Sequence, residues 1–280
     1  MSTLTFLLVI LSAVLHASWN FVAKKYAGNY SVIYLSFLFS SVVTGLLAIP
    51  FLGEVRLTTE LIALLITTGV FHAVYGFVLT FTYMNGDIST LYPIVRGSGI
   101  AGAVILSMVI LREQVEPISG FGVATVISGI AILSYRRNRT ATSSKGIFLA
   151  LICGSLIMSY TIMDKLLVSE VHPIPVMAAS QIISVLMFLP YVLLKRRNEM
   201  KTTLRTLLKP VILISVVATS SYLIILFVMQ IAPISRIVAV REASVVFGAI
   251  AGYVLLKEHF SKSRLIGVVL VMLGIILVKM

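Results

Sequence analysis

Leu91-Tyr92-Pro93-Ile94-Val95-Arg96-Gly97-Ser98-Gly99 puts an arginine inside an apolar run that extends from about residue 88 to 111. That run is long enough to cross a bilayer, since about 20 helical residues cover a hydrocarbon core of about 30 Å. A guanidinium at mid-depth costs roughly 2.5–3.5 kcal/mol on insertion scales. The same pattern returns in Val240-Arg241-Glu242, inside a second run from about residue 233 to 256. Two arginines at such a depth, one in each half of the chain, require a physical reason. The reading that organises the rest is a solute pathway.

Working outward, apolar runs tile almost the whole chain. They cover about 4–23, 32–52, 61–83, 88–111, 117–135, 146–164, 173–194, 210–230, 233–256 and 263–279. With 59% hydrophobic and 11% charged residues and a mean hydropathy of +1.07, a soluble domain is excluded. The runs are continuous and do not alternate, which excludes a transmembrane barrel. The expected class is an all-α polytopic membrane protein with ten transmembrane helices. No basic side chain precedes the first run, so it reads as a span and not as a cleaved leader. Cys153 is the only cysteine, and no intrachain disulfide is expected.

The formal net charge is +12, but its distribution speaks for topology and not for nucleic acid. Basic residues gather in alternate loops: Lys24 and Lys25; Arg136, Arg137, Arg139 and Lys145; Lys195, Arg196, Arg197, Lys201, Arg205 and Lys209; Lys257, Lys262 and Arg264. The opposite set holds little beyond Arg56, Arg112, Lys165, Arg236 and Lys279. By the positive-inside rule the first set is cytoplasmic and both termini lie on the non-cytoplasmic side. The surplus charge also draws the protein to anionic membrane lipid. The basic stretch Lys195–Lys209 lacks an apolar core and is expected as a surface connection or a short interfacial helix.

A shift of 145 residues, the separation of Arg96 and Arg241, aligns much of the two halves. It carries Leu111 onto Leu256, Glu113 onto Glu258, Gly122-Val123 onto Gly267-Val268 and Gly129-Ile130 onto Gly274-Ile275. A slightly smaller shift carries Leu15, Ser18 and Lys24 onto Leu156, Ser159 and Lys165. Residues 1–140 and 141–280 are thus expected as two repeats joined by a polar, basic linker at Tyr135–Lys145. Five spans per repeat is an odd number, so the second repeat enters the membrane inverted. Inverted repeats around a central cavity, with the site near the bilayer midplane, are the architecture of alternating-access carriers.

Ten spans, two inverted halves and a glutamate closing spans four and nine (Leu111-Arg112-Glu113 and Leu256-Lys257-Glu258) resemble the EamA family of the drug/metabolite transporter superfamily. Leu15-His16-Ala17-Ser18-Trp19-Asn20, Tyr92-Pro93-Ile94-Val95-Arg96-Gly97 and Val240-Arg241-Glu242-Ala243-Ser244 resemble a subgroup, some members of which are linked to phosphonate metabolism. The resemblance implies a basket of helices moving a small metabolite across the inner membrane, with export the expected direction.

The polar residues within the spans are the candidate site. Arg96 and Arg241 lie about eight residues into their spans from opposite sides, roughly 12 Å deep. Tyr92 precedes Arg96 by one helical turn and shares its face. A planar guanidinium suits a carboxylate or phosphonate. The competing account is a structural ion pair between Arg96 and Glu242 that touches no solute. With Glu242 ionised the trio keeps one surplus positive charge, which suits an anionic or zwitterionic solute. A desolvated Glu242 also offers a seat for a coupling proton.

His16, Trp19 and Asn20 form one face of span one, and His72, Tyr75 and Gly76 one face of span three. Both faces are expected to look inward, either onto solute or into interhelical hydrogen bonds worth about 0.6 kcal/mol each. Gln181, Ser220, Ser221 and Tyr222 are further candidates for the cavity wall. Gly99, Gly102, Ala103 and Ser107 on span four, and Ser244, Gly248 and Gly252 on span nine, offer small faces for close packing. Pro93 is read as a bend. Arg112, Glu113, Lys257 and Glu258 are read as interfacial caps.

Two histidines without a convergent thiolate or carboxylate do not make a metal site, and no cofactor is expected. Neither H-E-x-x-H nor G-x-S-x-G occurs, and every carboxylate except Glu242 falls at a loop or span end. An embedded enzyme is therefore disfavoured. A non-transporting scaffold or sensor stays as the alternative. Solute and oligomeric state are open.

Overall fold

The computed structural model describes residues 1–26, 29–85, 88–133, 143–256 and 262–280. Among them the chain is helical throughout, with no strand. The helices are α1 (Thr3–Lys24), α2 (Tyr30–Ala48), α3 (Thr59–Met84), α4 (Ile88–Ile110), α5 (Pro117–Leu133) and α6 (Ser144–Glu170). After them come α7 (Pro173–Lys195), α8 (Arg197–Thr206), α9 (Leu208–Ile231), α10 (Ile234–Arg241), α11 (Ala243–Leu256) and α12 (Lys262–Lys279). A 3₁₀ turn, Ile49–Glu54, extends α2. Helix starts follow local chemistry: the side chains of Ser2, Asn29, Thr58 and Ser143 each accept a first-turn backbone N–H. Helix α4 ends where Arg112 turns left-handed at φ 54°, with the N–H of Glu113 reaching back to the Ser107 carbonyl at 3.1 Å.

Helices α1, α2, α3, α4, α6, α7 and α9 are each long and apolar enough to cross a membrane. The chain is a multi-pass membrane protein. Its outer faces bear Leu46, Val109, Phe121 and Leu194, all exposed, as hydrocarbon surroundings demand.

Two expected spans differ from the structure. The run over 233–256 is not one helix: it breaks at Glu242 into α10 and α11. There the Glu242 N–H bonds to Ala239 O at 3.2 Å and the Val245 N–H to Glu242 O at 2.9 Å, both one residue tighter than the α-helical ladder. The run expected to stop at residue 164 continues to Glu170. Its charged residues are absorbed within the fold: Asp164 is bonded by neighbouring hydroxyls, and Lys165 donates to the Met229 and Ala232 carbonyls at the C-terminal end of α9. The basic linker around Arg136, Arg137 and Arg139, and the caps Lys257 and Glu258, lie outside the described residues.

Packing is backbone to backbone along α5 and α12. A Cβ on Gly122 would lie 2.8 Å from Gly274 O, and one on Gly129 would lie 2.9 Å from Gly267 O. The two backbones touch, and any side chain at these positions would part them. The α4 small face is used as expected: Gly99 abuts Ile157 and Gly102 abuts Met158 on α6. Gly248 has no atom within 4 Å of its would-be Cβ, so the small face expected on span nine is not packed there. The central core draws on α1, α4, α5, α9, α10 and α12 through Val9, Ile100, Val126, Ile225, Ile237 and Val271.

The basic stretch after α7 forms the short helix α8, which closes over the start of α2. The Ser31 N–H donates to Glu199 Oε1 at 2.9 Å, Arg196 donates to Glu199 Oε2 at 3.0 Å, and Asn29 Nδ2 donates to Thr203 Oγ1 at 3.1 Å. Burial opposes ionisation of Glu199, but the Ser31 and Arg196 donors outweigh it and hold the carboxyl below its usual range. A depressed carboxylate stabilises the fold above its unfolded value of about 4.3, and that contribution disappears as pH falls through the lower folded value. The Ser31 amide is expected to lose hydrogen-exchange protection below about pH 4. Glu199→Gln should abolish that dependence; an unchanged pH profile would show that the cap is not what protects the amide.

Candidate solute-binding site

Arg96 on α4 meets Glu242 at the break between α10 and α11. Its Nε donates to Glu242 Oε2 at 3.2 Å and its Nη2 to Oε1, a bidentate pair. The glutamate side chain is 1% exposed and the arginine 15%. The carboxylate stands at the N-terminal end of α11, where the helix dipole favours negative charge.

Arg241 is the neighbour of Glu242 in sequence but points elsewhere. Its guanidinium carbon lies 5.2 Å from the centroid of the Tyr222 ring on α9. Among the described residues its Nε is buried with no hydrogen-bond partner. Arg96, Arg241 and Glu242 line one hollow together with Gly99, Tyr160 and Thr161. Its volume, about 20 Å³, holds a water and not a metabolite.

A carboxylate that sequence reasoning placed at a span end completes the cluster. Asp164 on α6 is 1% exposed. Its Oδ1 accepts from Thr68 Oγ1 of α3 at 2.6 Å, and its Oδ2 accepts from the Tyr222 hydroxyl. His72 Nε2, also from α3, lies 3.6 Å from Oδ2. The signal was available: Tyr160, Thr161 and Asp164 recur at one-turn spacing, and the apolar residues Leu166, Leu167 and Val168 follow the charged pair.

His72 and Tyr75 do face this cluster. The His72 ring stacks on Tyr160 at 4.0 Å and meets Tyr222 edge-on at 5.5 Å, and Tyr75 meets Tyr160 edge-on at 6.0 Å. His16 is within electrostatic reach of Arg241 and Arg96. Trp19 and Asn20 are not drawn in. Trp19 donates to His16 Nδ1 at 3.3 Å and packs with Leu35, Val211 and Ile214. Asn20 is exposed and donates to its own helix at His16 O, 2.7 Å away. A surface amide that can bond one turn back has no need of an inward partner, so the inward expectation fails for Asn20. Tyr92 is half-buried against the central core.

Of the wider candidates, Tyr222 joins the site. Ser221 is spent on Ser12, and Gln181 on Thr44 and Thr219. Glu113 is a cap, as expected, but of a distant element: it accepts the Ile234 and Ser235 N–H groups at 2.9 and 3.1 Å, holding the start of α10.

Known proteins bear on this arrangement at the level of fold and family. One crystal structure, 13% identical, covers 99% of this chain and 96% of its own with a TM-score of 0.79; the likeness shows the fold alone. No curated protein matches the chain. The EamA-like transporter family matches it twice, over residues 3–135 and 144–280. With both halves covered in this way, the chain belongs to the EamA-like transporter family, a membrane transporter family of the drug/metabolite transporter superfamily.

Proposed function

We propose that this protein is a secondary transporter that exports a small anionic or zwitterionic metabolite across the inner membrane by alternating access. Residues 1–140 and 141–280 act as inverted five-span repeats. The tenfold span count follows if α10 and α11 together make span nine and α5 and α12 make spans five and ten. The helix neighbours support an exchange of halves. Contact of α3 with α6 has its counterpart in α9 with α1, contact of α4 with α6 in α11 with α1, and contact of α3 with α7 in α9 with α2. The reciprocal glycine contacts on α5 and α12 follow the same exchange.

The observation that carries the site is Arg241. It is a buried guanidinium at a helix break, its Nε without a hydrogen-bond partner among the described residues, and the residue borders the hollow. Discontinuous helices at mid-membrane are where transporters of this architecture bind solute. Arg96 and Glu242 balance each other and serve best as a lock between the halves, which divides the two readings of the trio between different residues. Asp164 alters the charge argument: with both acids ionised the four residues are neutral, and a surplus positive charge returns when Asp164 carries a proton.

Untargeted comparison of metabolites retained by cells with and without the protein tests the reading. An anionic or zwitterionic pool released only by cells carrying the protein is the expected result, and identical pools would overturn it. The topology is checked separately: a reporter fused after Lys279 should read as non-cytoplasmic, and a cytoplasmic signal would reverse the proposed orientation.

A further inference from the structure

The buried polar cluster on α3, α6 and α9 can be counted proton by proton. His72 Nδ1 lies 2.9 Å from Thr68 O, a carbonyl that can only accept, so Nδ1 carries a hydrogen. Nε2 then faces Asp164 Oδ2 at 3.6 Å and the Tyr222 oxygen at 3.3 Å. Tyr222 has one hydroxyl proton and gives it to Asp164; Thr68 likewise gives its own to the other carboxylate oxygen. With His72 neutral and Asp164 ionised, a nitrogen lone pair would therefore face a carboxylate oxygen with nothing between them. One further proton, held on Nε2 or on Oδ2, removes that clash.

No lysine or arginine nitrogen of the described residues lies within ion-pair distance of Asp164. From α6 itself Tyr160 stands one turn away, with Tyr75 of α3 against its ring; α4 carries Tyr92 and Arg96, the latter bonded to Glu242; from α10 Arg241 is within electrostatic reach. Helix α7 carries no titratable side chain between Pro173 and Pro190. Tyr222 joins the two charges, since its hydroxyl holds Asp164 while its ring lies under the Arg241 guanidinium.

We propose that Asp164 and His72 form a one-proton site coupled through Tyr222 to Arg241, so that the solute's anionic group and one proton bind together. This rests on the assignment of Arg241 to the solute. When the pair holds its proton, taken from water, Asp164 needs no counter-ion and Arg241 is available to an anion. When the proton returns to water, the Asp164 carboxylate competes with the solute for the same guanidinium. Each ligand therefore raises affinity for the other by the same factor. Efflux of a monoanion with its proton moves no net charge, so the membrane potential does not act on it and the solute and proton concentration gradients together set its direction.

The test is a pH titration by NMR of the whole protein in lipid nanodiscs, with labelled aspartate carboxyl carbons and histidine ring nitrogens. The Asp164 and His72 signals should change together at one midpoint, because the two side chains share a single proton, and Asp164→Asn should remove that transition. In Arg241→Gln the midpoint should rise by about one pH unit, a tenfold gain in proton affinity, because a nearby cation that favours the ionised acid has gone. Separate midpoints, or a midpoint that Arg241→Gln leaves in place, would overturn the coupling. If the midpoint moves while metabolite release survives in Arg241→Gln, the proton site stands and the solute role of Arg241 falls. If release is lost and the midpoint stays, the solute role stands and the coupling falls.

Discussion

Arg96→Ala should destabilise the detergent-purified protein by about 3–5 kcal/mol, because it strands the buried Glu242 carboxylate without its bidentate counter-charge. Removing both partners should cost far less. Arg96→Met with Glu242→Leu replaces an ion pair whose desolvation offsets most of its attraction by apolar groups of similar volume, a change that is often neutral. Thermal unfolding of the single and double variants distinguishes the two. A double variant as unstable as Arg96→Ala would mean that the pair is not the source of the loss.

Arg241→Ala should behave in the opposite way. Its guanidinium lies over the Tyr222 ring and is in no ion pair among the described residues, so unfolding should shift by about the 0.5–2 kcal/mol of a cation–π contact. Metabolite release should nevertheless fall at least about thirtyfold, the lower end of what loss of a buried charged contact costs. Arg241→Lys should not rescue it, since an ammonium lacks the planar fork. Full release by either variant would remove Arg241 from the site. Comparing Arg96→Ala with Arg241→Ala thus separates a residue that holds the fold from one that serves the cargo.

The sequence announced Arg96, Arg241 and Glu242 because charge is costly in hydrocarbon, and that cost is visible in any apolar run. It hid Asp164 for a related reason. Asp164-Lys165 looks like the end of a span, and only the neighbours reveal otherwise: Thr68, His72 and Tyr222 come from helices far away in the chain. The break at Glu242 was equally illegible. No glycine or proline marks it, and the partner that meets it, Arg96 on α4, is 146 residues away in the chain. Asn20 misled for a simpler reason, since polar spacing on a helix cannot distinguish an inward bond from one made to the same helix. The glycines at 122, 129, 267 and 274 were seen as a repeat, but not as each other's contacts, because spacing along a chain carries no information on which copies meet.

The glycine seam has a mechanical consequence. Where a carbonyl of one helix stands where a side chain of the other would begin, and Val126, Leu133, Val271 and Val278 close round the same points, neither helix can slide or roll without first separating. Helices α5 and α12 are therefore joined as one unit, and under the alternating access proposed above they would move together as an axle for the other helices.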